Sequence, residues 1–111
     1  MKSFILLCSL CLSLLSLNVL AANDVWLDVR SAEEFNEGHL DGAINIPHTA
    51  IAQQIAGVVD DKTIHIHVYC KSGRRAGIAE QALRELGYKQ VTNEGGYEQL
   101  VNKPNTPDER Q

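Results

Sequence analysis

Cysteine is scarce in this 111-residue sequence, and where the few thiols fall matters more than their number. Cys8 and Cys11 sit in an apolar leader, and Cys70 alone lies beyond it. One thiol cannot form an internal disulfide, so no covalent staple is available to the folded part of the chain. Basic residues are also few: ten Lys and Arg stand against fourteen Asp and Glu, for a formal charge of −4. That balance argues against nucleic acid as a partner. Charged residues make up only 22% of the chain and hydrophobic ones 44%, which argues against global disorder. There is no internal repeat and no low-complexity segment.

A hydrophobic run long enough to cross a membrane is missing as well. Lys2 is followed by an uncharged stretch from Phe4 to Leu20, but this contains Asn18 and the serines Ser9, Ser13 and Ser16. It falls short of the ~20 apolar residues of a membrane span. With Ala21-Ala22 ahead of Asn23-Asp24, the pattern reads as a secretory signal peptide over residues 1–22, cleaved after either Ala21 or Ala22. Neither Cys8 nor Cys11 suits a lipoprotein acceptor, because each follows a bulky leucine. The expected product is a periplasmic domain over residues 23–111 with no stable membrane anchor. Without Lys2 it carries nine Lys and Arg against fourteen Asp and Glu, a formal charge of −5. It keeps one thiol in an oxidising compartment, where unwanted pairing and over-oxidation are hazards. Cys70 is then either a small buried hydrophobe or a thiol retained for its reactivity.

Beyond the leader, strand and helix signals alternate. Val25 to Val29 is a short run of strand formers, and Ser31 with Glu34 three residues later is a capping box opening a helix. Ala43 to Ile46 reads as a second strand, ended by Pro47. Ile51, Ala52 and Ile55 recur at helical spacing, and Ile64 to Tyr69 is a third strand. Ala76, Ile78, Ala79, Ala82, Leu83 and Leu86 form the apolar stripe of the next helix, with Gly87 as its C-terminal cap. Gln90-Val91-Thr92 is a fourth strand, Gly95-Gly96 a turn, and Tyr97 to Val101 a last helical turn. Residues 102–111 contain two prolines and no apolar anchor, so they form a frayed tail around a core of 25–101. This order predicts an α/β domain with a mainly parallel sheet flanked by helices, and chemistry at the carboxyl ends of the strands.

Cys70 lies at such an end. Cys70-Lys71-Ser72-Gly73-Arg74-Arg75 places a thiol in a tight loop between a strand and a helix. Successive backbone N–H groups of such a loop point inward and the helix adds its positive end, which favours an anion at the centre. Gly73 permits the positive-φ turn that a loop this short requires. These surroundings lower a cysteine pKa from about 8.5 into the range of roughly 3.5–7.5. Lys71, Arg74 and Arg75 gather three cations where the helix dipole prefers negative charge, which points to a small anionic substrate.

Three motifs carry a family resemblance: Asp28-Val29-Arg30, the stretch Gly38-His39-Leu40-Asp41-Gly42-Ala43-Ile44-Asn45-Ile46-Pro47, and the Cys70 loop followed by Gly95-Gly96-Tyr97. In this order they resemble the rhodanese-like family over residues 25–101. The chain is most similar to the minimal exported rhodaneses. The resemblance implies a thiosulfate sulfurtransferase with Cys70 as the sulfur carrier. Lys71, Ser72, Gly73, Arg74 and Arg75 would bind the substrate, with no metal or organic cofactor. The partners implied are thiosulfate, as a small anionic donor, and cyanide or another thiophilic acceptor. A second reading is a persulfide carrier or redox-sensing module serving a protein partner. A third, a phosphatase or arsenate reductase, fits poorly. Rhodanese-like phosphatases carry their phosphate-gripping arginine six positions after the cysteine, where this chain has Ala76, and Cys70 has no second cysteine to resolve it.

The strand and helix that usually precede the Asp28 strand in the family are missing, so one edge or face of the sheet should be thinly covered. His65, His67 and Tyr69 alternate along the third strand in keeping with this. His65 and His67 share a strand face, but the sequence displays no third metal ligand, so they read as a partly exposed or hydrogen-bonded pair. His39 reads as a fold-supporting signature residue, Asp28, Arg30 and Glu34 as a structural charge network, and Trp26 as core.

Overall fold

In the computed structural model, which describes residues 24–103, the apolar run after Asp24 forms the first strand, β1 (Val25–Asp28). The expected leader and its cleavage positions, Cys8, Cys11 and the tail beyond residue 103 lie outside the described residues. Ser31 caps helix α1 (Ala32–Glu37). Its Oγ accepts from the Glu34 amide at 3.2 Å, and Glu34 Oε1 accepts from the Ser31 amide at 3.1 Å. The reciprocal pair satisfies two of the helix's orphan donors.

Strand β2 is only Ile44–Asn45, shorter than the expected Ala43–Ile46. The Asn45 side-chain amide donates to the Asp28 and Arg30 carbonyls at 2.9 and 3.0 Å, so a side chain takes over part of the ladder. Pro47, with no N–H to contribute, follows immediately after Ile46. A 3₁₀ turn (His48–Ala50) leads into α2 (Ile51–Val58), then β3 (His65–Cys70), α3 (Arg74–Glu85), β4 (Gln90–Gly96) and α4 (Tyr97–Asn102). Sheet order is β2-β1-β3-β4 with every pairing parallel, the α/β arrangement the sequence predicts.

The end of α3 is a Schellman motif: the Gly87 amide donates to Arg84 O, the Tyr88 amide donates to Leu83 O, and Gly87 has φ 99°. β4 runs further than the expected Gln90–Thr92 and takes in both glycines. A register irregularity between Val68 and Cys70 lets Gly96 pair with Cys70.

The core lies on one face of the sheet. Leu27, Ile66, Val68 and Cys70 are fully buried, with Ile51 and Ile55 of α2 and Ala76, Ala79 and Leu83 of α3. Ile78, assigned to this stripe from its spacing, is 45% exposed. Ala76, Ala79 and Leu83, at i, i+3 and i+7, already form the buried stripe, and Ile78 falls outside it.

On the other face Trp26, His67 and Thr92 stand in register across β1, β3 and β4. Trp26 is half-buried rather than core, stacked on His67 with centroids 4.4 Å apart and planes at 6°. Near the carboxyl end this face is covered: Tyr69 is fully buried and pairs with Tyr97, the first residue of α4. Around Trp26 and His65 it stays partly open, so the sheet is covered unevenly. Among the described residues no helix is long and apolar enough to cross a membrane.

Tyr88, 3% exposed, donates its hydroxyl to the Val59 carbonyl and so ties the α3–β4 turn to the end of α2. Tyr88→Phe leaves that carbonyl buried without its partner. It should lower stability by about 1–3 kcal/mol, read as a drop of several degrees in Tm. An unchanged Tm would show that this bond contributes nothing.

Candidate active site

Cys70 is the last residue of β3, and α3 starts at Arg74, so residues 71–73 must turn the chain through the whole connection. Gly73 makes this possible as N-cap of α3 with φ 95° and ψ −13°. A side chain in that left-handed region costs roughly 1–2 kcal/mol. With the turn made, the Gly73 amide donates to Cys70 Sγ at 2.9 Å. Burial pushes the Cys70 thiol up, but the N–H groups of Ala76, Ser72, Gly73 and Arg75 act the other way and leave its pKa below the ordinary cysteine value. The ring of amides reaches Ala76, one residue beyond the expected 71–75.

A neighbouring strand clamps the loop. Asn93 of β4 donates from Nδ2 to Gly73 O at 3.0 Å and accepts from the Gly95 amide at 2.9 Å. Gly96 passes so close to the loop that a Cβ there would collide with the Lys71 carbonyl. The sequence reading missed Asn93 because it lies beyond the expected strand end at Thr92, and nothing adjacent to it marks which loop it will face.

Two ion pairs set the loop against α1 and α4. Buried Asp28 accepts from Arg30 Nε at 2.9 Å and Nη2 at 2.7 Å, and Arg30 Nη2 also donates to Gly38 O at 2.6 Å. The Arg30 guanidinium lies over the Tyr97 ring, 4.4 Å from its centroid. Glu34 accepts from Arg75 Nη1 at 2.8 Å and Nη2 at 3.1 Å, a bidentate pair joining α1 to the start of α3. The hydrogen bond from Arg75 is the largest influence on Glu34 and holds its carboxyl at about 2.

The five loop residues therefore divide. Arg75 faces Glu34 rather than standing free, although it is near enough to Cys70 to feel a charge on the sulfur. Lys71 and Arg74 are exposed and make no side-chain hydrogen bond among the described residues. Ser72 and Gly73 act through backbone amides. Lys71 also lines a cleft of about 270 Å³ with Arg30, Glu34, Glu37, Gly38, Tyr97 and Glu98. His39 lies apart from the loop, its Nδ1 2.8 Å from Phe35 O and its ring stacked on Phe35.

Chemically, this is a single buried thiol whose pKa is lowered by backbone dipoles, with cations at the rim. The rhodanese-like domain family matches residues 15–103, a span that begins ahead of the expected leader cleavage. The chain is 44% identical over 86 residues to thiosulfate sulfurtransferase PspE of Escherichia coli, covering 78% of this chain and 82% of that protein. A solved structure described as a rhodanese with anions from E. coli superposes with TM-score 0.66 at 42% identity, over 68% of this chain and 89% of that one. The human single-domain sulfurtransferase TSTD1 superposes with TM-score 0.62 at 26% identity, over 86% of this chain and 93% of that one.

Glu34 provides a pH test of the α1–α3 link. Its folded pKa of about 2 lies below the ordinary 4.5, so the folded state binds fewer protons than the unfolded one between these values. The stabilisation is complete above the unfolded pKa and is lost as pH falls toward the folded one. The stability difference between the protein and Glu34→Gln should therefore be constant near neutrality and shrink from about pH 5 downward. Denaturant melts across that range check this, and a difference independent of pH would show that the carboxylate charge is not what Arg75 engages.

Proposed function

Because the chain belongs to the rhodanese-like domain family, we propose that it is a thiosulfate sulfurtransferase that carries sulfur on Cys70. The observation that carries the reading is the buried Cys70 sulfur with backbone N–H groups converging on it, which lower its pKa. The thiolate attacks the outer sulfur of thiosulfate, and the S–S bond breaks with its electron pair leaving on sulfite. Cys70 is left as a persulfide anion, which the loop amides stabilise as they did the thiolate. Cyanide or another thiophile then takes the outer sulfur, and the bond electrons return the thiolate. One difficult transfer is divided into two displacements with no net proton or redox change, and no metal or organic cofactor enters.

The loop residues play distinct parts. Arg74 and Lys71, whose side chains have no partner among the described residues, draw the thiosulfate dianion to the rim. Arg75, fixed by Glu34, adds positive potential beside the sulfur and holds the loop against α1. Ser72 and Gly73 contribute N–H groups. The signal-like segment ahead of Asn23 supports export to the periplasm, where the persulfide would form on the one cysteine that follows that segment.

Intact-mass analysis after thiosulfate treatment should find one added sulfur on the protein and none on Cys70→Ser, which should keep its fold and lose turnover. Arg74→Ala should raise KM for thiosulfate several-fold and weaken its salt dependence while leaving the persulfide able to form. Turnover by pure Cys70→Ser would refute the mechanism. A persulfide that forms readily but passes its sulfur to no small thiophile would favour a carrier serving a protein partner.

A further inference from the structure

On the open sheet face, at the other end of β3 from Cys70, both nitrogens of one imidazole face carboxylates. His67 Nδ1 lies 2.6 Å from Glu94 Oε2, and Nε2 lies 2.9 Å from Asp24 Oδ2. A neutral imidazole has one N–H, so it can satisfy only one of these acceptors, and the other contact needs a cation between nitrogen and oxygen. His65 supplies a third donor: Asp24, His65 and His67 each offer a ligand atom, all within 4.8 Å of one another. The sequence displays no third ligand beside the two histidines. The fold provides one because Asp24 immediately precedes β1, which pairs with β3.

We propose that Asp24, His65 and His67 bind one divalent d-block metal ion of the zinc class, which ties the start of β1 to β3 on the uncovered face of the sheet. In the tautomer with its proton on Nδ1, His67 has the arrangement of a metal-binding histidine: Nδ1–H donates to Glu94, which fixes the ring and directs the Nε2 lone pair at the ion. The Thr92 hydroxyl, 2.6 Å from His65 Nε2, can donate or accept and so orients the second ring. Ligand bonds of ~2.0–2.2 Å in a tetrahedron set neighbouring donors roughly 3.3 Å apart, so Asp24 and His67 need to separate by only a few tenths of an ångström. His67 is 12% exposed and Asp24 47%, which gives a held donor and an entry path. The two carboxylates supply the counter-charge. A bridging proton would meet the needs of His67 alone, whereas a metal ion also uses His65.

The ion would be structural. Ile66, Val68 and Cys70 alternate with His65 and His67 along β3, so the thiol belongs to the opposite face. A domain with one free thiol and a half-covered sheet gains stability from any ligand that binds only the folded state.

The test is calorimetric titration of untagged protein with Zn²⁺ alone, with Tm read in parallel. Zn²⁺ is chosen because it is redox-inert and leaves Cys70 unoxidised. One Zn²⁺ per chain should bind the protein and Cys70→Ser equally, and raise Tm in both. Affinity should fall roughly tenfold or more in Asp24→Asn, whose side chain is exposed enough to spare the fold, and in His65→Gln. Both variants should keep full sulfur transfer. Absence of stoichiometric binding, binding by Asp24→Asn or His65→Gln as tight as the parent's, or loss of binding in Cys70→Ser would overturn the proposal.

Discussion

Everything at the candidate site depends on one electrostatic arrangement: a sulfur atom buried at the carboxyl end of β3, where backbone N–H groups rather than water favour its charged form. Burial alone would keep Cys70 protonated and inert. The amides of Ser72, Gly73, Arg75 and Ala76 reverse that effect, and they can do so because three residues connect β3 to α3.

A loop of this kind must be held from outside, since its own amides are turned toward the sulfur. Three neighbours hold it. Asn93 fixes the Gly73 carbonyl from β4, Gly96 allows that strand to pass against Lys71, and Glu34 holds Arg75 from α1. The capping box gives Glu34 two tasks, with Oε1 accepting from both the Ser31 amide and Arg75. The buried Asp28–Arg30 pair sets the Gly38 carbonyl and the Tyr97 ring beside it, bringing α1 and α4 to the same end of the sheet. Side chains that resemble acid–base machinery thus serve as braces, consistent with a reaction that moves sulfur and no proton.

Much of this was legible in the sequence where the encoding is local. The Ser31–Glu34 box, the Gly87 cap, the alternation of strand and helix, and the place of Cys70 at a strand end each depend on a few adjacent residues. What sequence did not show depends on register between distant segments. The Arg75–Glu34 pair spans 41 residues, and nothing in the cationic run Arg74-Arg75 tells which guanidinium will be taken. Asn93 and Asp24 acquire partners only once β1, β3 and β4 align. Trp26 and Ile78 failed as core residues for a related reason: hydrophobicity indicates what prefers burial, while the number of covering elements decides what obtains it. The alternation of His65 and His67 did indicate the partly open part of the sheet, because periodicity along one strand is again local, whereas Tyr69, read in the same way, is buried against Tyr97 of α4.

The central claim, that loop geometry rather than any side chain makes the Cys70 thiolate, is tested most directly by titrating its absorbance against a Cys70→Ser blank. The titration is done in the parent protein and in a variant with one glycine inserted between Gly73 and Arg74. The account predicts a parent midpoint below the ordinary value of about 8.5, and a return toward that value in an insertion variant that still melts cooperatively. A parent midpoint at or above the ordinary value, or an insertion that leaves it unmoved, would contradict the account.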